Sequence, residues 1–196
     1  MRNWHDLDYL RAGTVRQQQA YTALHNSGIW RLLAGFTPVL AGTVPLDVDT
    51  PASDLDVLCE VPTTATEAFQ ALLRQHFGVQ PGFTLTQRVI NGLATTLCRF
   101  QQDGFAVEIF GQARPVVAQQ GFRHLIIEDR ILRLGGPAWR AAVRQLKQQG
   151  LKTEPAFAQL LGLAGNSYEA LLDLEALTEL ELQALVMARA AFIRNQ

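Results

Sequence analysis

Two dipeptides, Asn91-Gly92 and Asp103-Gly104, restrict the fold of this chain more than any other feature of its sequence. Each stands between two segments rich in β-branched, aromatic and aliphatic residues. The three segments are residues 83–90, 93–100 and 105–110. Asn-Gly and Asp-Gly suit tight hairpin turns, because the turn needs positive φ angles that glycine adopts without steric cost. The sequence therefore predicts a three-stranded antiparallel meander.

Two further strands are predicted before the meander. Residues 38–43 form a short apolar run that ends in Gly-Thr, and residues 54–60 begin with an Asp-Leu-Asp pattern and continue with aliphatic side chains. Between them, residues 44–51 hold two prolines and two aspartates, a composition typical of a loop. Together with the meander, these runs predict a mixed sheet of about five strands.

Helical patterns flank the predicted strands. Residues 15–26 have a helical pattern that ends before Gly28, and residues after Pro115 are helical in pattern to the end of the chain. The expected helix boundaries are capping boxes at Thr64-x-x-Glu67 and Thr178-x-x-Glu181, a break at Gly135-Gly136-Pro137, and a cap at Thr153 with Pro155 in the first turn. The fold class predicted is α+β. We expect an α/β core over residues 1–115 and a C-terminal helical region over residues 116–196 packed on the core.

Composition limits the classes of function. Of the 196 residues, 48% are hydrophobic and the formal net charge is −1, so no global field recruits nucleic acid or an anionic membrane. Cys59 and Cys98 lie in apolar runs without a C-x-x-C pair, which favours buried reduced thiols over a disulfide or zinc site. The polar, acid-containing start indicates no signal peptide, and no apolar run approaches the ~20 residues of a membrane helix. We expect a cytoplasmic protein.

Asp54 and Asp56 are the most informative side chains. Residues two apart in a strand project to the same face, so both carboxylates point one way while Leu55 and Val57 point to the core. Two neighbouring negative charges are costly without a counter-charge, and a divalent cation is the simplest one. Carboxylate oxygens suit Mg²⁺, or Mn²⁺, with the remaining positions left for water and substrate phosphates. The alternative is a solvated acidic pair at the start of a strand.

Three other features support a metal and phosphate site. Glu108 is the single charge within the apolar strand at 105–110, which suggests a third metal ligand, although an edge-strand charge against aggregation is the alternative. Gly42 ends a predicted strand, where its backbone N–H can approach a phosphate closely. The hydroxyl groups of Thr43 and Ser53 are candidate donors to the same phosphates.

The order of these residues resembles a known superfamily. A Gly-Thr pair, an Asp-x-Asp strand and a later strand carboxylate resemble the pattern of the DNA polymerase β-like nucleotidyltransferases. Within that superfamily, the chain resembles a bacterial domain-of-unknown-function family in four segments. These are Ala-Gly-Thr-Val-Pro-Leu at 41–46, Ser-Asp-Leu-Asp at 53–56, Phe-Arg-His at 122–124 and Lys-Thr-Glu-Pro-Ala-Phe at 152–157. Thr43 departs from the pattern, which has Ser or Gly there.

The resemblance implies a nucleotidyltransferase-like core that transfers a nucleoside monophosphate from an NTP to an acceptor. It implies that Asp54 and Asp56 hold both metal ions, that Glu108 holds the catalytic one and helps deprotonate the acceptor, and that Gly42 and Thr43 hold the triphosphate. Two rivals stay open: a non-catalytic nucleotide- or partner-binding module of the same fold, and metal-dependent phosphoester hydrolysis. The acceptor is left open, and the balanced charge does not indicate nucleic acid.

Several basic residues are secondary candidates. Arg123 is a candidate for contact with a phosphate or with Glu108, and His124 is expected to be a hydrogen-bonded structural histidine. Lys152 precedes a predicted helix N-terminus, a position that favours anions, so we include it as a phosphate contact beside the alternative of a solvated lysine. Arg88 and Arg99, on adjacent strands, either line a nucleotide or acceptor groove or offset nearby acids.

Overall fold

The computed structural model describes residues 2–189 and 193. By their contacts these residues form two compact units, one comprising residues 2–45 and 53–122 and the other residues 46–52, 123–189 and 193. The fold is α+β, with a five-stranded mixed sheet and flanking helices, as the sequence predicts. No helix within the described residues is long and apolar enough to cross a membrane.

The first unit contains the whole sheet. Its strands are β1 (Val39–Ala41), β2 (Leu55–Glu60), β3 (Thr84–Ile90), β4 (Leu93–Gln102) and β5 (Phe105–Gln112). The order across the sheet is β1-β2-β5-β4-β3, and among the described strands only β2 and β5 pair in parallel. Asn91 and Gly92, like Asp103 and Gly104, have positive φ angles in the two hairpin turns, so the predicted meander is confirmed.

Helices pack on one face of this sheet. They are α1 (Asp8–Arg11), α2 (Val15–Asn26), α3 (Ile29–Leu32) and α4 (Thr66–Phe77). The core between helices and sheet includes Leu24 of α2, Phe69 and Leu73 of α4, Val57 of β2 and Ile109 of β5, all fully buried. Because strand side chains alternate, Asp56 of β2 and Glu108 of β5 project from the opposite face.

The second unit is built from the remaining helices. They are α5 (Gln120–Gln148), which begins in the first unit, α6 (Thr153–Leu161), α7 (Ser167–Asp173) and α8 (Glu179–Ala188). Gly136 interrupts α5 with a φ of 68° and a ψ of −156°, at the break predicted from the sequence. The predicted capping box of α8 is confirmed, with Thr178 accepting from the Glu181 backbone and Glu181 bonded back to Thr178.

Two predicted caps are wrong. Helix α4 begins after a short 3₁₀ turn at Thr63–Ala65, where the Ala65 N–H donates to the Pro62 carbonyl, and no side chain caps the helix. Backbone hydrogen bonding of that turn replaces the predicted Thr64 cap. Helix α6 includes Thr153 as its first residue, so Lys152 takes the N-cap position and the Thr153 hydroxyl instead accepts from Lys147 Nζ at 3.2 Å.

Candidate carboxylate site

One row of register partners crosses all five strands of the sheet. Ala41 pairs with Asp56, Asp56 with Glu108, Glu108 with Arg99, and Arg99 with Thr84. Directly opposed residues on paired strands project to the same face. We call these five residues the cross-strand row. It places the Asp56 and Glu108 side chains next to each other on the face that does not carry the helical core.

Gly42 lies against the Asp56 carboxylate at the end of β1. Its φ is 74°, a conformation that residues with a side chain rarely adopt, and a Cβ built at Gly42 would overlap Asp56 Oδ2. The left-handed backbone therefore favours glycine here, and the absence of a Cβ leaves room for the Asp56 carboxylate. Asp56 itself is half-buried.

Thr43 and Ser53 meet at the two ends of the loop between β1 and β2. The Thr43 hydroxyl donates to Ser53 Oγ at 3.1 Å, and Thr43 is buried while Ser53 is half-buried. This hydrogen bond brings the Gly-Thr turn next to the residue that precedes Asp54. Asp54 is exposed and lies immediately before the first residue of β2. The proposed roles of these three residues stay predictions.

Arg99 supplies a counter-charge to Glu108. Its Nε donates to Glu108 Oε2 across the β4–β5 pair, with the Arg99 side chain 62% exposed and that of Glu108 20% exposed. Across the described ranges, 2–189 and 193, no three or more His, Cys, Asp or Glu side chains are grouped so that they could hold a metal ion. Glu108, which the sequence suggests as a metal ligand, is thus paired with Arg99 in this structure. Binding of Glu108 to a metal ion stays a prediction.

The two remaining candidates lie in the second unit. Arg123 forms a forked ion pair with Glu175, from Nε at 3.1 Å to both carboxylate oxygens and from Nη2 at 2.5 Å to Oε2. Lys152 is exposed at the N-cap of α6, the helix terminus expected from the sequence. A contact of either residue with a nucleotide stays a prediction.

A buried polar group in the second unit was not predicted. Glu128 of α5 is 3% exposed, and its Oε1 makes no hydrogen bond to any described residue. Burial raises the pKa of Glu128 well above its ordinary value; the charge of Glu154 raises it further and that of Lys147 lowers it. His124, one turn earlier, is bonded through Nε2 to the Tyr168 carbonyl at 3.0 Å, in agreement with its predicted structural role. Glu128 follows His124 by four residues, so the two side chains lie on the same side of a helix. This spacing was the sequence signal that could have indicated that Glu128 is buried.

A separate cavity of about 550 Å³ lies in the first unit. Its lining includes Arg31 of α3, His76 and Phe77 at the end of α4, and Gln102 at the end of β4. None of the residues that line it is a site residue predicted from the sequence. The cavity and the cross-strand row are therefore distinct features of the unit.

Solved structures share this fold at low sequence identity. A Cid1 poly(U) polymerase structure with MgGTP bound matches with a TM-score of 0.51 and 10% identity over 79% of this chain. A cytoplasmic RNA terminal U-transferase matches with a TM-score of 0.53 and 12% identity over 81% of this chain. The chain spans 47% and 45% of the lengths of these two proteins, respectively. The likeness shows a nucleotidyltransferase-like fold.

Sequence comparison identifies the family. No curated protein matches the sequence. The model of one family matches residues 22–174, a span that includes the whole cross-strand row, the Gly42-Thr43 turn and Lys152. The chain belongs to this family, which is described as a domain of unknown function, DUF4269.

Proposed function

We propose that this protein is a Mg²⁺- or Mn²⁺-dependent nucleotidyltransferase that transfers a nucleoside monophosphate from an NTP to an acceptor. One observation carries the proposal: Asp56 and Glu108, which are 52 residues apart in sequence, are register partners on parallel strands. Gly42 lies beside the first of these carboxylates, at the end of β1. Both carboxylates belong to a nucleotidyltransferase-like fold.

The side chains proposed here suit a hard divalent cation by the chemistry of their oxygen atoms, although the described residues do not group three of them as a metal site. Asp54, Asp56 and Glu108 offer carboxylate oxygens, the ligand type that Mg²⁺ and Mn²⁺ prefer. Gly42 has no Cβ, so the Asp56 carboxylate can lie directly against the backbone at the end of β1. Such an ion, when bound, supplies positive charge that stabilises the phosphate oxygens during transfer.

The residues of the site would then have separate roles. Asp54 and Asp56 would hold both metal ions, and Glu108 would hold the catalytic one and help to deprotonate the acceptor hydroxyl. The Gly42 backbone N–H and the Thr43 and Ser53 hydroxyls contact the triphosphate. The acceptor oxygen forms a bond to the α-phosphorus while the bond to pyrophosphate breaks.

Arg123 and Lys152 are proposed as further nucleotide contacts. To make its contact, the Arg123 guanidinium would have to break its ion pair with Glu175. The acceptor is open; one structural neighbour is an RNA terminal U-transferase, whereas the net charge of −1 gives no indication of a large nucleic-acid footprint. We also propose a cytoplasmic location, where buried free thiols such as Cys59 and Cys98 are kept reduced.

A second candidate function is nucleotide or partner binding without catalysis. The Arg99–Glu108 ion pair favours it, because the third carboxylate already has a counter-charge without any cation. In that case the fold binds a nucleotide through the Gly42-Thr43 turn, and no group is transferred. The two candidates differ in one measurable property, the transfer of labelled nucleoside monophosphate.

The experiment measures the melting temperature with Mn²⁺ and each of the four NTPs, for the wild type and for Asp54→Asn and Asp56→Asn. We expect the rise in melting temperature to disappear in both variants and to persist in Asp103→Asn, a matched change in an exposed hairpin turn. A rise that survives in Asp54→Asn shows that the site assignment is wrong. Incubation with α-³²P-labelled NTPs and fractionated cell extract then separates the candidates, since binding without transfer to any fraction selects the non-catalytic module.

A further inference from the structure

The ion pair between Arg99 and Glu108 points to a second role for this arginine, and the inference rests on the proposed function. We propose that Arg99 is a nucleotide-positioning residue that leaves Glu108 when a divalent cation binds and then contacts the phosphates of the NTP. The same side chain would thus oppose binding of the free cation and favour binding of the nucleotide.

The position of Arg99 in the cross-strand row supports this exchange. Its backbone lies directly opposite Glu108, and its side chain projects from the same face as Glu108 and Asp56. The Arg99 side chain is 62% exposed, so its guanidinium can move into solvent at little cost once a cation neutralises Glu108. Glu108 is 20% exposed and keeps its place in the sheet.

The charges in the row explain why Arg99 would have one partner without the cation and another with it. In the row, Glu108 has a like charge on one side, Asp56, and an opposite charge on the other, Arg99. A divalent cation at Glu108 would replace the guanidinium as counter-charge and repel it. Nucleotide phosphates bring several negative charges to the same place, and the planar guanidinium offers paired donors that match phosphate oxygens.

Arg74 provides a charge-matched control for this inference. It lies on α4, one of the helices that pack on the face of the sheet opposite to Arg99. Arg74 is exposed and belongs to the same unit as Arg99. Replacing Arg74 changes the net charge of the unit by the same amount as replacing Arg99.

The test titrates each protein with Mn²⁺ alone, followed by electron paramagnetic resonance. A second titration uses a non-hydrolysable ATP or UTP analogue at saturating Mn²⁺. For Arg99→Gln we expect Mn²⁺ alone to bind about 2- to 5-fold more tightly, as for loss of an exposed competing ion pair. We expect the nucleotide to bind about tenfold more weakly, as for loss of a charge-assisted phosphate contact. Arg74→Gln should change neither affinity beyond about 2-fold.

Arg99→Lys separates charge from shape and guards against a folding defect. Lysine keeps the positive charge but lacks the paired donors, so Mn²⁺ alone should bind as in the wild type while the nucleotide binds several-fold more weakly. The circular dichroism spectrum of each variant checks the fold. A merely structural role for Arg99 would lower both affinities together, and this result overturns the inference.

Other outcomes separate this inference from the proposed function. If Asp56→Asn abolishes Mn²⁺ binding but Arg99→Gln leaves the affinity for Mn²⁺ unchanged, the role of Arg99 is refuted and the proposed function stands. If the wild type and Arg99→Gln are both folded and neither binds Mn²⁺, both proposals are refuted. If only Arg99→Gln binds Mn²⁺, competition by the guanidinium is supported directly.

Discussion

Asp56 of β2 and Glu108 of β5 are register partners on two parallel strands of the sheet. A parallel pair needs a long crossover connection, and here helix α4 and the β3–β4 hairpin lie between the two strands. The pairing therefore brings together two acids that no local motif contains. Each acid has an ordinary alternative interpretation in its own strand, and their adjacency is what supports a common function.

Gly42→Ala should abolish cation binding while lowering the stability of the protein only modestly. The φ of 74° costs an alanine about 1–2 kcal/mol, and the added methyl group would overlap the movable end of the Asp56 side chain, which must turn away. We expect loss of the Mn²⁺-dependent rise in melting temperature, together with a modest fall in the melting temperature without metal. Differential scanning fluorimetry with and without Mn²⁺ measures both.

Gly92→Ala is the control for this change. Gly92 has a nearly identical φ of 76°, but nothing lies within 4 Å of a Cβ placed there. It should lose a similar amount of stability through its backbone and keep its response to Mn²⁺. An unchanged Mn²⁺ response in Gly42→Ala would show that the space beside Asp56 is irrelevant to the cation.

Glu128→Gln should stabilise the protein at neutral pH. Burial raises the pKa of Glu128 in the folded state above its value in the unfolded chain, so folding keeps a proton that the unfolded chain releases. The wild type therefore loses stability as pH rises above the ordinary glutamate value of 4.5, up to the raised pKa. Glutamine, which has no such proton, escapes this loss.

The measurement is the urea midpoint of the wild type and of Glu128→Gln between pH 4 and pH 8. The two proteins should converge at the acidic end and diverge as pH increases, with the variant the more stable. Glu169→Gln, a change at an exposed glutamate of α7, should show no such trend. Greater stability of the wild type at pH 8 would mean that Glu128 is ionised and paired in the folded protein.

Local sequence signals were sufficient for much of the fold. The turns at Asn91-Gly92 and Asp103-Gly104 fix the meander because two-residue hairpin loops also fix the register. Pairing Gln102 with Phe105 at the second turn places Arg99 opposite Glu108, three residues farther along each strand. The ion pair could therefore have been predicted from the turn, and it agrees with one of the two roles considered for Arg99, that of offsetting a nearby acid.

Contacts between segments that are distant in sequence could not be predicted from local sequence patterns. The composition of residues 44–51 predicts a loop, but it does not reveal that Asp47 within this loop pairs with Arg144, 97 residues later. The failure of the Thr64 cap has a different cause, since the 3₁₀ turn at Thr63–Ala65 uses backbone hydrogen bonds that a pattern of side chains does not record. Tertiary contacts and backbone geometry decided both cases.

Cys59 and Cys98 should resist alkylation in the folded protein. Both are fully buried, and burial raises the pKa of Cys98 to about 12 and that of Cys59 further. Because the thiolate is the reactive form, iodoacetamide at pH 8 should leave both thiols unmodified for hours and label both in urea, as read by intact mass. Rapid labelling of either thiol in native buffer would contradict this burial.

Arg144→Lys should loosen the loop at residues 46–52. Arg144 Nη2 donates to the Asp47 carbonyl at 2.5 Å and to Asp47 Oδ1 at 2.9 Å, and its Nε donates to the Asp49 carbonyl at 3.3 Å. Asp47 has a φ of 57°, so this fork also holds a backbone conformation that aspartate adopts at a cost. Lysine cannot reproduce the fork, and we expect a loss of about 1–2 kcal/mol, since the pair is half-exposed.

Hydrogen–deuterium exchange locates the effect of this change. Amides of residues 46–52 should exchange faster in Arg144→Lys, while amides of the β3–β4 hairpin should keep their wild-type rates. Arg140→Lys is the control, because Arg140 lies one turn earlier on α5 and donates to the Leu132 carbonyl, at 3.4 Å, and not to the loop. If the three hydrogen bonds hold the loop, the positive φ of Asp47 should relax once they are lost, and the loop amides should exchange faster. Equal exchange of these amides in Arg144→Lys and in the wild type would therefore show that the hydrogen bonds do not hold the loop.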